Sequence, residues 1–88
     1  MSLQIVIVPV RVGELNGKYK SYGIKSNVNA DDLKETGVYY LSTGCTPEYA
    51  FLEVLKITDK YIWQRYIRDG GGTTKSRVLY DNEWKDWS

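Results

Sequence analysis

Residues 51–68, FLEVLKITDKYIWQRYIR, decide the fold. Residues 51–57 and 61–68 each alternate between two faces, as half-buried strands do. The short connection Thr58-Asp59-Lys60 joins them. Because so short a link suits a hairpin, we predict that the two runs pair antiparallel.

Shorter strand candidates flank this hairpin. Residues 38–41 precede it, and residues 75–80 follow it. Asp81-Asn82 then predicts a turn before a last edge strand over residues 83–87. Short strands separated by turns favour an α+β, mainly β fold. We therefore expect a small antiparallel β-meander with one short helical turn.

The helical turn is expected in NADDLKE, residues 29–35. Asn29 suits the N-cap, and Asp31 and Asp32 suit the positive end of a helix. We expect Thr36-Gly37 to end the turn, with Gly37 at a positive φ. A metal or acid pair at the two aspartates is the alternative to this structural role.

The first part of the chain has a different character. Residues 4–12, QIVIVPVRV, are apolar on both faces of a strand, and Pro9 restricts that strand to an edge or a break. Asn16-Gly17 predicts a hairpin between residues 5–12 and 18–25. We therefore divide the chain into an N-terminal strand or hairpin segment, 1–27, and a β-meander domain, 28–88.

Composition disfavours several classes of protein. The chain has one cysteine, no histidine and a net charge of +1. A single cysteine excludes an internal disulfide, and without histidine there is no basis for a zinc site or a histidine-based hydrolase. Cys45 has no histidine to activate it, so a small buried thiol is expected. We expect no enzyme activity, no cofactor and no metal.

Targeting and membrane signals are also missing from the sequence. No apolar run approaches the ~20 residues of a membrane span, and the N-terminus lacks the pattern of a signal peptide. We expect synthesis in the cytoplasm and no membrane partner.

Aromatic composition favours association of the chain with copies of itself. The chain has 8 tyrosines, 3 tryptophans and 1 phenylalanine. Tyrosine and tryptophan favour half-buried surfaces and interfaces. Together with the two-sided apolar segment 4–12, they indicate a homo-oligomer, because a chain this short covers such surfaces poorly.

Nucleic-acid binding is the alternative function. Hairpin 60–77 interleaves basic and aromatic residues, an arrangement that can stack bases and follow a phosphate backbone. Acidic residues such as Asp59 and Asp69 dilute the charge, which makes nucleic acid the weaker hypothesis. The glycine-rich loop 70–74 lacks the spacing and the following helix of a phosphate-binding loop.

Several motifs in combination resemble the pyocin-knob type domain of phage tail fibres and related tail proteins. They are an Asp-Leu turn at Asp32-Leu33, a Thr-Gly-Val-Tyr-Tyr strand at 36–40, a Leu-x-Val strand at 52–54, a Tyr-Ile-Trp-Gln strand at 61–64, and Trp84-x-x-Trp87. The resemblance covers residues of about 29–87. It implies a non-catalytic fibre module that forms a homotrimer, acts as a spacer or contacts a host-surface glycan, and resides in the tail of a virion.

Recognition on a β scaffold is expected at loops and edge aromatics. Trp63 and Tyr66 should face opposite sides of their strand, so only one of them is core. On a regular strand Trp84 and Trp87 would also face opposite sides. The candidate interface or ligand residues are Trp63, Tyr66, Arg68, Trp84 and Trp87, with loop 70–74 beside them.

Overall fold

Six strands lie side by side in chain order in the computed structural model, which describes residues 20–88. The only helix in that range is a single 3-10 turn, Ala30–Asp32. The predicted mainly β fold is therefore confirmed. The strands are β1 (Lys20–Lys25), β2 (Gly37–Leu41), β3 (Ala50–Thr58), β4 (Tyr61–Arg68), β5 (Lys75–Tyr80) and β6 (Glu83–Trp84).

The central hairpin forms as predicted. Strands β3 and β4 pair antiparallel, with Leu55 opposite Trp63 and Val54 opposite Gln64. Thr58 pairs with Tyr61, and its hydroxyl accepts a hydrogen bond from the backbone N–H of Lys60 at 3.2 Å. The connection is thus one residue shorter than the sequence suggested.

Strand β5 covers residues 75–80 as predicted, but the last strand is shorter than the predicted 83–87. Asp81 and Asn82 both have positive φ, 58° and 63°, as a tight hairpin turn requires. Regular pairing stops at Trp84, although Ser88 still exchanges two backbone hydrogen bonds with Ser76 at 3.0 Å each.

An extra residue in this tail changes where its side chains point. Lys85 N–H bonds to the carbonyl of Val78, and Ser88 pairs with Ser76, so Asp86 and Trp87 together lie opposite one residue of β5. Such a bulge breaks the alternation of a strand. Trp84 and Trp87 therefore face the same side, and the prediction of opposite faces is wrong.

Strand β1 pairs parallel with β2, so this part of the sheet is not the antiparallel meander that the sequence predicted. Residues 26–36 cross over one face of the sheet to join them, since parallel neighbours cannot be linked by a tight turn. Tyr22 of β1 stacks on Tyr39 of β2, with ring centroids 4.6 Å apart. Strand β1 confirms a strand within the predicted 18–25. The predicted strand 4–12 and the turn at Asn16-Gly17 lie outside the described residues, and the division at residue 27 stays a prediction.

The helical turn is narrower than the predicted 29–35. Asn29 caps it as expected, and its side-chain oxygen accepts from the N–H of Asp31 at 2.8 Å. Leu33, not Gly37, is the C-cap. Gly37 begins β2 with φ 154°, where a Cβ would meet the carbonyl oxygen of Lys20 and, at 2.7 Å, the ring of Tyr22. The expected positive φ is confirmed, and close approach of β1 adds a second reason for glycine, but the helix does not end here.

The two faces of the sheet differ in what covers them. The covered face lies under the crossover and the indole rings of Trp84 and Trp87, and its core comprises Ala30, Tyr39, Leu41, Cys45, Leu52, Val54, Ile62 and Leu79. The opposite side, which we call the open face, has neither layer above it within residues 20–88. It carries Ile24, Val38, Tyr40, Phe51, Glu53, Leu55, Tyr61, Trp63, Arg65, Ile67, Val78 and Tyr80.

Substitution of Gly37 tests the packing of β1. We expect Gly37→Val to lower the free energy of unfolding by about 2 kcal/mol or more, because neither the Lys20 backbone nor the Tyr22 ring can move without disturbing β1. The control is Gly70→Ala, since nothing lies within 4 Å of a Cβ there. Urea denaturation of both variants gives the comparison, and equal midpoints would contradict the assignment.

Alkaline unfolding tests the burial of Tyr39. Burial is the main cause that raises the pKa of its hydroxyl from 10.0 to about 12. The unfolded chain therefore loses this proton first, so the stabilisation is complete below pH 10 and is lost as the pH rises from 10 to 12. Between pH 9 and pH 11.5, we expect the free energy of unfolding to fall by about 2 kcal/mol less in Tyr39→Phe than in the unaltered protein. Urea titrations at the two pH values measure this difference. Parallel curves for the two proteins would show that Tyr39 does not contribute.

Candidate functional site

Gln64 lies at the centre of the covered face and is fully buried. Its side-chain amide donates to the carbonyl oxygens of Ala30 at 2.7 Å and Leu33 at 2.8 Å. Its oxygen accepts from Nε of Arg77 at 2.9 Å. Since β4 supplies Gln64 and the crossover supplies the two carbonyls, this side chain fastens the crossover to the sheet.

Arg77 extends the same cluster toward the tail. Its guanidinium carbon lies 4.0 Å from the ring centroid of Trp84 and 4.2 Å from that of Trp87, so the two indoles sandwich it. Asp31 makes an ion pair with it at 2.8 Å. Burial lowers the pKa of Arg77, and Asp31 acts in the opposite direction. Asp31 therefore serves as a structural ion-pair partner.

The remaining sequence-predicted candidates divide between the two faces. Tyr66 packs edge-on against Trp87, with ring centroids 4.6 Å apart, on the covered face. Arg68 donates to the carbonyl of Glu48 at 2.9 Å. Trp63 lies half-buried on the open face, so the expectation that Trp63 and Tyr66 face opposite sides is confirmed. The five candidates do not converge on one site.

The open face is organised as rows across the strands. Strand register places Ile24, Tyr40, Phe51 and Ile67 in one apolar row. Phe51 is 54% exposed and Ile24 is 75% exposed. The next row contains Glu53 and Arg65, whose Nε donates to the carboxylate at 2.7 Å. A further row joins Leu55, Trp63 and Val78.

Two grooves flank Phe51 on this face. One, of about 420 Å³, lies toward β1 and is lined by Ile24, Val38 and Tyr40 among others. The other, of about 450 Å³, lies toward β4 and includes Arg65 and Ile67. Phe51 borders both grooves, so the face has a ridge with a depression on each side.

Neither the apolar row nor the buried hydrogen bonds of Gln64 follow from the sequence pattern. Both faces of residues 51–68 carry apolar side chains, so the pattern does not tell which face the crossover covers. The pairing of Phe51 with Tyr40, whose rings lie 5.1 Å apart, depends on strand register. One signal for Gln64 was available in the sequence, because this polar residue shares a strand face with the apolar Ile62. A polar side chain buried on such a face needs hydrogen-bond partners.

The basic residues of hairpin 60–77 do not form a common surface. Arg77 is enclosed in the covered face, while Arg65 pairs with Glu53 on the open face. Nucleic-acid binding needs a cluster of one sign, and the observed distribution does not support that alternative. Loop 70–74 joins β4 to β5, so it has no helix to bind phosphate.

Side chains with catalytic or metal-binding chemistry are not gathered in residues 20–88. No group of three or more Cys, Asp or Glu in that range could hold a metal ion. Cys45 is buried, as expected, and its thiol lies 3.4 Å from the carbonyl of Lys25. No helix in the same range is long and apolar enough to cross a membrane.

Other pKa shifts on the molecule come from surface pairs. The hydroxyl of Tyr40 donates to Asp69 at 2.6 Å, and this hydrogen bond raises the pKa of Tyr40. Lys56 has a raised pKa because Asp59 and Glu35 accept from its ammonium group. These pairs lie apart from one another, so they do not define a reactive centre.

Two solved structures with this fold are pyocin tail fibres. A C-terminal part of the R1 pyocin fibre of P. aeruginosa matches 84% of this chain with a TM-score of 0.70 and 24% sequence identity. An N-truncated R2-type pyocin tail fibre matches 78% with a TM-score of 0.68 and 22% identity. The match covers 23% and 32% of those two chains, respectively. Neither a protein-family model nor a curated protein matches the sequence.

The structural likeness confirms the expected resemblance to a pyocin-knob type domain at the level of the fold. The chain has the fold of one portion of a pyocin tail fibre, about a quarter to a third of the matched fibre chains. The quoted motifs now have structural roles, since Gln64, Trp84 and Trp87 all belong to the cluster that holds the crossover and tail on the sheet.

Replacement of Gln64 tests that cluster. We expect Gln64→Leu to reduce the free energy of unfolding by about 2–4 kcal/mol, because the buried carbonyls of Ala30 and Leu33 lose their donor. The control Lys85→Leu removes only the surface pair with Glu83 and should cost less than about 1 kcal/mol. Chemical denaturation followed by tryptophan fluorescence measures both, and similar losses would refute the role of Gln64.

Proposed function

We propose that this chain is a non-catalytic structural module of a phage or phage-derived tail fibre, and that it self-associates as a homotrimer. The fold match to two pyocin tail fibres supports the fibre role. A module of this kind is made in the cytoplasm of the host bacterium and resides in the tail of the particle.

The open face is the observation that supports self-association. It exposes large apolar side chains on a small domain whose own crossover and C-terminal indoles both lie on the other side. Exposed apolar surface of this kind marks interaction sites. A fibre module that assembles with copies of itself has a use for such a surface, whereas a free monomer would be prone to aggregation.

Contact with a host-surface glycan is the second role within the same proposal. Trp63 is the sequence-predicted candidate on the open face, and the guanidinium of Arg65 lies 5.4 Å from its ring centroid. An indole so placed can stack on a sugar or on a neighbouring subunit. Measurements of solution mass and of binding to host cells together distinguish a subunit contact from a glycan contact.

The test is the solution mass of residues 1–88. We expect light scattering to give about 30 kDa, three times the 10.1 kDa of one chain. We expect Trp63→Ala to shift the mass toward one chain if the ring lies at a subunit seam. Loss of binding to host cells at unchanged mass would instead assign the ring to a glycan site. A single-chain mass at every concentration would overturn self-association.

A further inference from the structure

One corner of the sheet combines a carboxylate with three aromatic residues. The hydroxyl of Tyr40 donates to the carboxylate of Asp69 at 2.6 Å, and the rings of Tyr40 and Phe51 lie 5.1 Å apart. The backbone N–H of Asp69 bonds to the carbonyl of Tyr49 at 2.9 Å, which ties the ends of two loops together. We call these four residues the Asp69 corner.

The aromatic residues of this corner are fixed in place and still accessible. Tyr49 is 44% exposed and Phe51 is 54% exposed. Tyr49 has φ 56°, a left-handed conformation that tyrosine rarely adopts, and its hydroxyl lies 3.1 Å from that of Thr43. A backbone in this conformation persists only where its surroundings hold it, so the ring is positioned before any ligand arrives.

Asp69 gives this corner a negative charge that the fold does not neutralise. Its carboxylate is exposed and makes no ion pair with any residue in 20–88. The neighbouring Arg68 lies on the other side of β4, where its guanidinium is 5.9 Å from the ring centroid of Tyr66 and donates to the carbonyl of Glu48. A carboxylate beside the electron-rich faces of aromatic rings attracts a cation.

From this arrangement we infer, independently of the proposed self-association, that the Asp69 corner binds an ammonium group on an apolar stem, as a lysine side chain of a partner protein presents it. The ammonium group contacts the Asp69 carboxylate, which keeps acceptor capacity beside the hydrogen bond from Tyr40. The stem lies along the apolar row that contains Phe51, because lysine stems cover apolar surface while the charged end stays in a polar environment.

The surface next to the corner accepts a narrow stem with one positive charge. A groove of about 450 Å³ adjoins the corner between Phe51 and Ile67, with room for an aliphatic chain. The row beyond it contains one charge of each sign, Glu53 and Arg65. The second ammonium group of a polyamine would therefore gain no net attraction there, which favours the single charge of lysine.

A lysine analogue tests the site in the full chain. The probe is Nα-acetyl-lysine methylamide, and its matched control carries a second acetyl group on Nζ, which removes the charge and keeps the stem. In amide NMR titrations we expect the charged probe to shift residues 69–71 saturably, with a Kd of ~1–10 mM. We expect the neutral control to bind at least fivefold more weakly, and equal binding of both probes would overturn the site.

Asp69→Asn removes the charge and leaves an oxygen that can still accept from Tyr40. We expect this variant to stay folded by circular dichroism and to bind the charged probe at least fivefold more weakly. Its control is Asp81→Asn, since Asp81 is an exposed aspartate in the turn at the other end of the sheet, with a φ of 58° that asparagine tolerates.

Unchanged affinity of a folded Asp69→Asn, or an equal loss of affinity in Asp81→Asn, would contradict the assigned site. Should Asp69→Asn fail to fold, the comparison of the two probes on the unaltered protein still decides.

Light scattering during the titration distinguishes this site from self-association. We expect saturating probe to leave the solution mass unchanged. A mass that falls as the probe binds would assign the corner to a lysine of a second copy and overturn the inference of a separate partner. A single-chain mass throughout, with the probe bound at residues 69–71, would overturn self-association and leave the Asp69 corner standing.

Discussion

The structure depends on the full hydrogen bonding of one buried amide. Gln64 offers two N–H donors and one carbonyl acceptor, and the crossover and Arg77 use all three. An unsatisfied polar group at this depth would be strongly destabilising, so the crossover has one favourable position over the sheet. That position in turn sets β1 beside β2, because the crossover leads from one to the other. Asp31 is held where it can pair with Arg77.

A consequence of this arrangement is that residues 20–88 cover one face of the sheet with their own chain and leave the other face open, the face that we propose for self-association. The covered face combines an aliphatic core with the Arg77 sandwich between two indoles. The open face has rows of apolar side chains and one internal ion pair. Stability of the single subunit and the proposed self-association therefore depend on different residues.

Local signals in the sequence predicted the parts of the fold that local structure determines. Alternation and a short link suffice for the hairpin of β3 and β4, and Asp81-Asn82 suffices for the next turn. Distant contacts determine the rest. The parallel pairing of β1, the close approach at Gly37 and the bulge at Trp87 each depend on residues far apart in the chain. Trp87 shows the effect of one extra residue, because it places two indoles on one side that regular alternation would separate.

The residues of the candidate site were predictable only where the residue type itself indicates its environment. Tryptophan is large enough that burial or an interface was expected at all three positions, and the structure places each of them at least half-buried. Arg77 belonged to the basic and aromatic hairpin in the sequence analysis, and Gln64 was noted only as part of the Tyr-Ile-Trp-Gln motif. Their role follows from the crossover, whose position no local pattern in residues 60–77 encodes. Phe51 was similarly ambiguous, since its neighbour Leu52 is equally apolar and points the other way.

Loop 70–74 has a further consequence for how such a module can diversify. A Cβ at Gly70 would meet no other atom within 4 Å, and the space around Gly71 and Gly72 is equally open, although their positive φ favours glycine. This tip joins β4 to β5 outside the Gln64 cluster, so added residues there need not disturb the buried hydrogen bonds. Long insertions in such loops are tolerated at low entropic cost. Lineages could thus vary the length and chemistry of this tip while one rigid scaffold is inherited unchanged.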